Sequence, residues 1–505
     1  METLEKWLVT LAVFLPLVGS LVILLIPKEN ETAAKVTALL ASGLALLAGI
    51  AIAFRFDYSA AHELQMAVKL SWIPQIDVNY HVAVDGISLA LLLLSLFITF
   101  LCVIYSWDHL PEPRNAKAFL ALMLLLETGM SGTFVAFDLI LFFIFWELVL
   151  LPMYFLIGLW GGPRREYAAI KFFLYTLLGS AFMLLGFLAL YFKTGTFDIV
   201  ELTNARPEFA RATSLILFGG LFLGFAIKVP MFPFHTWLPD AHTEAPTVGS
   251  VLLAAVLLKM GTYGFVRIAL PILPEAARSW APTIGLLGAI GIIYAALCCM
   301  AQSDLKRLIA FSSVGHMGFV MLGIATLTPI GINAAVFGML AHGVITGMLF
   351  FLAGSIHERY HTREIAEIGG GMLKKIPLIA SILAFMSFAS LGLPGLAGFW
   401  GEFPALLASY QPAPGLPLSA FRTFMVMGGI GTVLVAGYFL WMLQRVNLGE
   451  VPSRWQSLHA HDINAYELIS WAPLIVLTVL MGVYPKLVFS VTNGAATAIA
   501  RIFGA

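Results

Sequence analysis

Long apolar segments recur from one end of this 505-residue chain to the other. An α-helix needs about 20 apolar residues to cross the roughly 30 Å hydrocarbon core of a bilayer. With 60% hydrophobic and only 11% charged residues, the chain is far more apolar than a soluble domain. The segments therefore predict an all-α integral membrane protein. We place about fourteen spans, at 8–26, 34–54, 87–107, 117–136, 139–160, 168–192, 212–238, 247–270, 282–301, 306–326, 331–356, 377–410, 420–444 and 468–491.

Charge and cysteine content exclude several other classes of protein. Lys plus Arg and Asp plus Glu both number 28, so the chain lacks the basic excess of a nucleic-acid-binding protein. Cys102, Cys298 and Cys299 lie in apolar runs without metal-ligand spacing, and we interpret them as packing residues. The first apolar run follows Glu5 as well as Lys6, which favours a permanent span over a cleaved signal peptide.

The basic residues also orient the predicted bundle. They are more numerous in one set of alternate loops, which includes mostly short loops, and by the positive-inside rule these loops face inward. Both termini are then expected to face outward. One outward loop, 66–86, alternates polar and apolar residues in two short runs, which predicts a small β-hairpin lying on the bundle.

Two predicted spans are interrupted by helix-breaking residues. The seventh contains Pro230 and Pro233, and the twelfth contains Pro394 among glycines. Backbone groups freed by such breaks cannot face lipid, so they must be buried in protein or line a watery cavity. The breaks are five helices apart, and an odd step reverses a helix's direction, as in the inverted repeats of transporters. Ordinary proline kinks are the alternative.

At least four ionisable residues lie deep within predicted spans: Glu147, Lys228, Lys259 and Glu402. Inserting each of these side chains at the bilayer centre costs about 2.5–3.5 kcal/mol. We therefore expect that they either pair with one another or are kept because the function requires them. A purely structural Glu147–Lys228 ion pair would account for only two of them. Alternatively, burial and a nearby opposite charge act in opposite directions on proton affinity, so such groups can load and release protons. This pattern favours proton transport across an energy-conserving membrane.

Histidines and further carboxyl groups lie between these charges. His235, His316 and His342 are candidates for a proton relay, because a neutral imidazole accepts on one nitrogen and donates from the other. Hydrogen-bonded core histidines and a haem ligand pair are the alternatives. Asp240, His242 and Glu244, near the inward end of the seventh span, form a candidate proton entrance. A metal site fits their residue types but no standard spacing, and a helix-capping turn is the plainer alternative.

Several long stretches of the chain resemble the antiporter-like subunits of respiratory complex I. The order and length of these stretches make the match specific. The stretches are Phe145–Leu148, Leu151–Tyr154, Lys228–His242, Leu258–Gly264 and Ser303–Gly318. The resemblance implies two inverted five-helix units, at 117–270 and 271–446, flanked by 1–116 and by 447–505. It also implies a line of polar residues and water through the centre of the bilayer.

The resemblance also implies roles for individual residues. Glu147 and Lys228 match the family's modulating pair, Lys259 its connecting lysine, and Glu402 its terminal proton-exchange group. In having glutamate at position 402, the chain resembles the M-type branch of the family, which includes mitochondrial subunit 4. The sister chains L and N typically have lysine at this position.

The same resemblance implies the surroundings of the chain. No cofactor is expected in this chain, with flavin, iron–sulfur clusters and quinone in partner subunits. The sister chains L and N are the expected neighbours, in a bacterial inner membrane with both termini periplasmic. A subunit of a multisubunit sodium/proton antiporter, or of a ferredoxin- or hydrogenase-linked complex, is the alternative, and a membrane protein carrying haem or quinone is a second one.

Overall fold

Thirteen helices in the described part of the chain are long and apolar enough to cross a membrane. The computed structural model describes residues 2–457 and 460–505. The prediction of an α-helical integral membrane protein is confirmed in this coarse form. The thirteen helices are Glu5–Leu25, Glu31–Arg55, Gly86–Tyr105, Ala116–Val135, Leu139–Trp160, Arg165–Thr194, Arg211–Lys228, Thr247–Ile272, Pro274–Met300, Leu305–Ala325, Pro329–Tyr360, Leu418–Val446 and Ala465–Val483.

The twelfth predicted span, 377–410, is divided into two helices of 14 residues each, whereas about 20 residues are needed to cross the bilayer. Pro377–Ser390 and Ala397–Tyr410 are separated by residues 391–396. Pro394 lies in this gap, where it has no N–H to donate to a helix. Shorter helices complete the fold: Ile199–Ala205, Trp237–Glu244, Ile365–Ile368, Met372–Lys375 and Lys486–Arg501.

Three helices form the centre of the bundle. Leu305–Ala325 is wholly buried by the rest of the chain, and Thr247–Ile272 and Pro329–Tyr360 are nearly so. Small residues permit this close packing, as they do in many membrane bundles. A Cβ atom on Gly318 would lie only 2.8 Å from the carbonyl oxygen of Gly288 on the neighbouring helix. The remaining helices surround this centre; most of them are about half-buried or less, whereas Gly86–Tyr105 and Ala116–Val135 are largely buried.

The central helix Thr247–Ile272 is not regular along its length. Two π-helical segments, Leu253–Leu257 and Phe265–Ala269, flank an α-helical stretch, Leu258–Gly264. Single π-helical turns within α-helices are often found at functional sites. Lys259 lies directly after the first of these segments.

A small β-hairpin lies within the region 66–86. Strands β1 (Gln65–Ile73) and β2 (Val78–Val84) pair antiparallel. Two carboxylates that cap helices hold it on the bundle. The backbone N–H of Asn79 donates to Asp138 (2.9 Å), and Nδ1 of His81 lies 2.8 Å from an oxygen of Asp198. The hairpin is thus tied to the start of one membrane helix and one short helix.

Asp198→Asn is expected to release the hairpin from the bundle. Burial acts to raise the pKa of Asp198, but hydrogen bonds from His81 and Lys69 outweigh it and hold this pKa below its ordinary value. A lowered carboxyl pKa stabilises the fold at neutral pH, and this stabilisation is lost as the pH falls through the lowered value. Faster proteolysis of the hairpin in the purified protein would report the release.

Glu201→Gln is the matched control for this variant. Glu201 also contacts Lys69, at 3.0 Å, but its side chain is 54% exposed, and exposed ion pairs contribute little stability. The control should therefore be cleaved as slowly as the wild type. Unchanged cleavage of the Asp198→Asn variant would show that this carboxylate does not hold the hairpin.

Candidate functional site

Lys259 and His342 form the first contact of a buried polar line. Lys259 is completely buried, and its Nζ atom lies 2.6 Å from Nδ1 of His342 on the central helix Pro329–Tyr360. The same ammonium donates to the carbonyl oxygen of Ala254, at 2.5 Å, within the π-helical segment. The lysine is thus held between its own irregular helix and an imidazole, and it contacts no carboxylate of the described residues.

His316 and Glu402 continue the line. The rings of His342 and His316 are 5.7 Å apart between centroids, and Nδ1 of His316 lies 2.8 Å from Oε1 of Glu402. Nε2 of His316 lies 2.9 Å from the hydroxyl of Ser390. A cavity of about 20 Å³ borders both imidazoles and the carboxylate, which is room for about one water molecule. Four ionisable side chains from four helical segments therefore lie in sequence in the protein interior.

Glycines at the second interruption bring Glu402 to this position. Gly401 faces Gly338 so closely that a Cβ atom on Gly401 would lie 2.6 Å from the Cα atom of Gly338. Gly392 has a φ of 80°, and a Cβ atom there would lie 3.0 Å from Oε2 of Glu402. The glycine-rich sequence thus lets the helix Ala397–Tyr410 pack against the helix of His342 while the chain turns beside the carboxylate.

Glu147 and Lys228 lie in the other half of the molecule. No ion pair within 4.0 Å joins these two described residues, although each is within electrostatic range of the other. Lys228 is 2% exposed, and its Nζ atom lies 5.1 Å from the ring centroid of Trp146. The indole N–H of Trp146 donates to the hydroxyl of Ser180, at 3.0 Å. Trp146 therefore lies against the lysine, next to Glu147 in the chain.

Backbone carbonyls at the end of the helix Arg211–Lys228 accept hydrogen bonds from later residues. Two prolines follow Lys228 in the chain. The carbonyl of Ile227, in the last turn of the helix, accepts a hydrogen bond from the indole N–H of Trp237, at 2.9 Å. The carbonyl of Ala226 accepts from the N–H of Met231, at 2.8 Å. These hydrogen bonds pair backbone carbonyls at the end of the helix, which could not face lipid unpaired. Lys228 lies at this carbonyl end, where the helix dipole favours a cation.

The three candidate entrance residues have different surroundings. Asp240 pairs with Lys171, at 2.7 Å, and the carboxylate of Glu244 accepts the backbone N–H of Arg164, at 2.9 Å. These two carboxylates therefore tie the segment to the helix Arg165–Thr194 and to the residue that precedes it. His242 is completely buried, stacks on Phe350 at 4.4 Å, and neither ring nitrogen has a hydrogen-bond partner among the described residues.

Lys306 is an additional buried cation near His242. It is 5% exposed, and its Nζ atom donates to the carbonyl of Ala245, at 2.5 Å. His242 is within electrostatic range of both Lys306 and Lys259. Lys306 is the first residue of the predicted span 306–326, and in the structure it is the second residue of the buried helix Leu305–Ala325.

His235 is separate from the line of contacts. Its ring lies beside Phe232 and Tyr294, with centroids 5.8 Å and 5.0 Å away, and Nδ1 has no hydrogen-bond partner among the described residues. The structure thus brings together Lys259, His342, His316 and Glu402 by contact, and leaves His235 in an aromatic environment.

Sequence reasoning missed a third intramembrane carboxyl group, that of Glu127, beside those of Glu147 and Glu402. It lies in the helix Ala116–Val135, it is completely buried, and neither carboxylate oxygen has a hydrogen-bond partner among the described residues. The signal was present, because Glu127 follows an apolar run inside the predicted span 117–136, just as Glu147 does in its own span.

Comparisons with known proteins agree along the whole chain. The family described as "NADH:quinone oxidoreductase/Mrp antiporter, TM" matches residues 136–428, and "NADH-ubiquinone oxidoreductase chain 4, amino terminus" matches residues 58–133. A Rickettsia prowazekii protein named "NADH-quinone oxidoreductase subunit M" is 42% identical over 97% of each chain. A Synechococcus elongatus protein named "NAD(P)H-quinone oxidoreductase chain 4 1" is 42% identical over 98% of this chain and 91% of its own.

Solved structures give the same result. A chain of "Respiratory complex I from Thermus thermophilus with bound NADH" matches with a TM-score of 0.86 and 30% identity, covering 98% of this chain and all of the other. A chain of the Mrp complex from Dietzia shares the fold, with a TM-score of 0.84 at 21% identity over 99% of this chain and 100% of that one. The chain therefore belongs to the NADH:quinone oxidoreductase/Mrp antiporter family of membrane proteins.

Proposed function

We propose that this chain is the proton-translocating subunit M of an NADH:quinone oxidoreductase, driven by redox chemistry in other subunits. The observation that carries the proposal is the line of buried contacts from Lys259 through His342 and His316 to Glu402. Membership of the family, and the names of its full-length relatives, connect this line with complex I.

Each group in the line can hand a proton to the next. The ammonium of Lys259 faces an imidazole nitrogen of His342, so transfer along the 2.6 Å contact leaves a neutral lysine and a charged imidazole. A histidine can accept a proton on one nitrogen and release one from the other. Nε2 of His342 and Oε2 of Glu402 have no hydrogen-bond partner among the described residues, which leaves both atoms open to exchange protons.

Glu147 and Lys228 regulate the line in this proposal. Because no direct ion pair locks them, a change in their separation would alter the electrostatic support that each gives the other's charged form. Moving one charge across 100 mV costs about 2.3 kcal/mol, which is within the range of a buried pair changing its separation. His242 and Lys306 lie where a proton from the inward side would approach Lys259.

The architecture in its finer detail belongs to this proposal. We infer two inverted five-helix units, at 117–270 and 271–446, between the flanking regions 1–116 and 447–505. The helix ends at Lys228 and Ser390 are then the breaks of two discontinuous spans, and the β-hairpin lies on the periplasmic side with both termini.

The surroundings of the chain complete the proposal. The protein works within a multisubunit membrane complex, and we propose the sister chains L and N as its neighbours in a bacterial inner membrane. Flavin, iron–sulfur clusters and quinone are assigned to partner subunits, and no cofactor to this chain.

Glu147→Gln and Lys228→Ala are each expected to abolish most quinone-coupled proton pumping while the complex stays assembled. Either change removes one charge of the regulating pair, so the proton affinity of the other can no longer be switched. Proton uptake by sealed vesicles, measured beside the quinone reductase rate, checks this. Lys193→Ala, which removes an exposed lysine from a neighbouring helix, is the control and should pump normally.

Two outcomes of the vesicle assay would contradict the proposal. Normal pumping by the assembled Glu147→Gln or Lys228→Ala complex would show that the substituted residue does not regulate the line. Sodium-dependent proton uptake without any quinone reductase would instead favour a sodium/proton antiporter subunit.

A further inference from the structure

Glu127 is a buried acid that the proposed line from Lys259 to Glu402 does not use. It lies in the middle third of the membrane helix Ala116–Val135, has no exposed surface, and makes no hydrogen bond through its carboxylate to the described residues. An ionised carboxylate taken out of water without a partner costs several kcal/mol. The group is therefore held as a neutral carboxylic acid, which is the form that stores a proton.

Glu127 lies near Glu147 in depth, on a neighbouring helix. Gly129, two residues further along the helix of Glu127, faces Val149 closely: a Cβ atom on this glycine would lie 2.7 Å from the valine side chain. Val149 is two residues beyond Glu147. Because the two helices run in opposite directions, the glutamates lie on either side of this contact, about one helical turn apart in depth.

A row of polar side chains lies along the neighbouring helix Gly86–Tyr105 and the residues after it. Its members recur every three or four residues, so they share one helical face. We name them the polar column: Ser95, Thr99, Cys102, Ser106 and His109. Cys102 is within electrostatic range of Glu127, and Ser106 contacts the sulfur of Met123, one turn before Glu127.

The polar column begins at a charged cluster on the side that the basic loops mark as inward. Nε2 of His109 lies 3.3 Å from the carboxylate of Glu358 and 3.6 Å from that of Glu467. Glu358 is 44% exposed, whereas the side chain of His109 is 7% exposed and that of Glu467 is fully buried. Glu358 and His109 therefore offer a protonatable path from the surface towards the interior.

The other end of the polar column reaches the helix of Lys259. The hydroxyl of Ser95 lies 3.0 Å from that of Ser131, one turn beyond Glu127. The helix Ala116–Val135 packs against the segment Leu258–Gly264, and the hydroxyl of Tyr263 donates to the carbonyl of Phe134, at 2.8 Å. A proton on Glu127 is thus stored beside the helix that carries Lys259.

We propose that Glu127 is a proton-carrying carboxylic acid of this subunit, loaded from the inward surface at Glu358 and His109 along the polar column. This inference rests on the proposed function, because it supplies protons to the same line. A proton that leaves Glu127 through the Ser131–Ser95 hydroxyl pair towards Lys259 leaves a carboxylate. That carboxylate then takes its next proton from the polar column.

Glu127→Gln in the whole complex tests the proposal. Glutamine keeps the size and neutrality of the protonated acid, so assembly should be retained, but it cannot release a proton. We expect loss of the larger part of quinone-driven proton uptake in sealed vesicles. The infrared carbonyl band of a protonated carboxylic acid should also disappear relative to wild type. Thr128→Val is the control and should change neither signal, because it removes a buried hydroxyl that, among the described residues, bonds only the carbonyl of Leu124 on its own helix.

A second variant tests the entrance and keeps the proposal open to refutation if Glu127→Gln does not assemble. His109→Gln should slow proton uptake while leaving the carboxylic acid band in place, because Glu127 itself remains. Normal uptake in Glu127→Gln, or an unchanged infrared band, would overturn the role of Glu127, and normal uptake in His109→Gln would overturn the entrance. If Lys259→Met loses pumping while Glu127→Gln retains it, only this inference fails; if both retain it, the proposed function fails.

Discussion

Lys259→Met is expected to abolish quinone-driven proton pumping by the assembled complex. Methionine keeps the length of the side chain but removes the only ammonium that contacts His342 within the described residues. The line from the first half of the molecule to Glu402 is then cut at its first contact. A buried acceptor left without its donor costs about 1–3 kcal/mol. This cost is small compared with the stabilisation from the many contacts of the nearly buried helix Thr247–Ile272. Proton uptake by sealed vesicles should fall to the level measured with an uncoupler.

Thr262→Val provides the matched control for Lys259→Met. Thr262 lies on the same helix and is equally buried, and the carbonyl of Lys259, at 3.1 Å, is the only partner of its hydroxyl in the part of the chain that the structure describes. The control should assemble and pump as the wild type does. If Lys259→Met also pumped normally, with the subunit present in the purified complex, protons would have to cross without this lysine and the line would lose its function.

The intramembrane charges could be found from the sequence because one physical rule identifies them. A charge in the middle of an apolar span is costly, and this rule selected Glu147, Lys228, Lys259 and Glu402. The apolar runs likewise predicted the membrane helices, since their length is set by the bilayer. The proline positions also predicted where the helices near Lys228 and before Ala397 end, because a missing N–H is a property of the residue itself.

Contacts between helices could not be read from the sequence in the same way. Glu147 and Lys228 have opposite charges, yet Lys228 lies against Trp146 and makes no ion pair within 4.0 Å with Glu147. His235 has the same residue type as His316, but only His316 meets a carboxylate. Such partners depend on how helices rotate and approach, which is decided by packing at positions such as Gly401.

The polar column shows a second reason why sequence reasoning was incomplete. Serine, threonine and cysteine cost little in a membrane helix, so their three-to-four spacing along Gly86–Tyr105 gave no energetic signal. Their arrangement becomes informative only when a buried acid, Glu127, lies beside them. The burial of Lys306 was missed for a related reason, since its position at the start of the predicted span 306–326 did not reveal that neighbouring helices cover it.

Glu402→Gln is expected to stop proton pumping while leaving the structure around the carboxylate intact. The amide oxygen of glutamine can keep the 2.8 Å contact with Nδ1 of His316, and the hydroxyl of Ser390 still meets Nε2 of the same ring. Assembly of the complex should therefore be retained. The amide cannot take up or release a proton, so His316 has no group to exchange with at this end of the line. Vesicles containing the variant complex should show little quinone-driven proton uptake.

Ser409→Ala is the control for Glu402→Gln, and Glu402→Asp separates charge from reach. Ser409 lies on the same helix as Glu402 and is completely buried, and within residues 2–457 and 460–505 its hydroxyl bonds only the carbonyl of Ala405, at 2.9 Å. Its replacement should leave pumping unchanged. Aspartate keeps an ionisable group but shortens the side chain by one methylene, so it should restore pumping in part, because the cavity beside His316 has room for a bridging water. Full pumping by Glu402→Gln would mean that the proton leaves the line before it reaches this carboxylate.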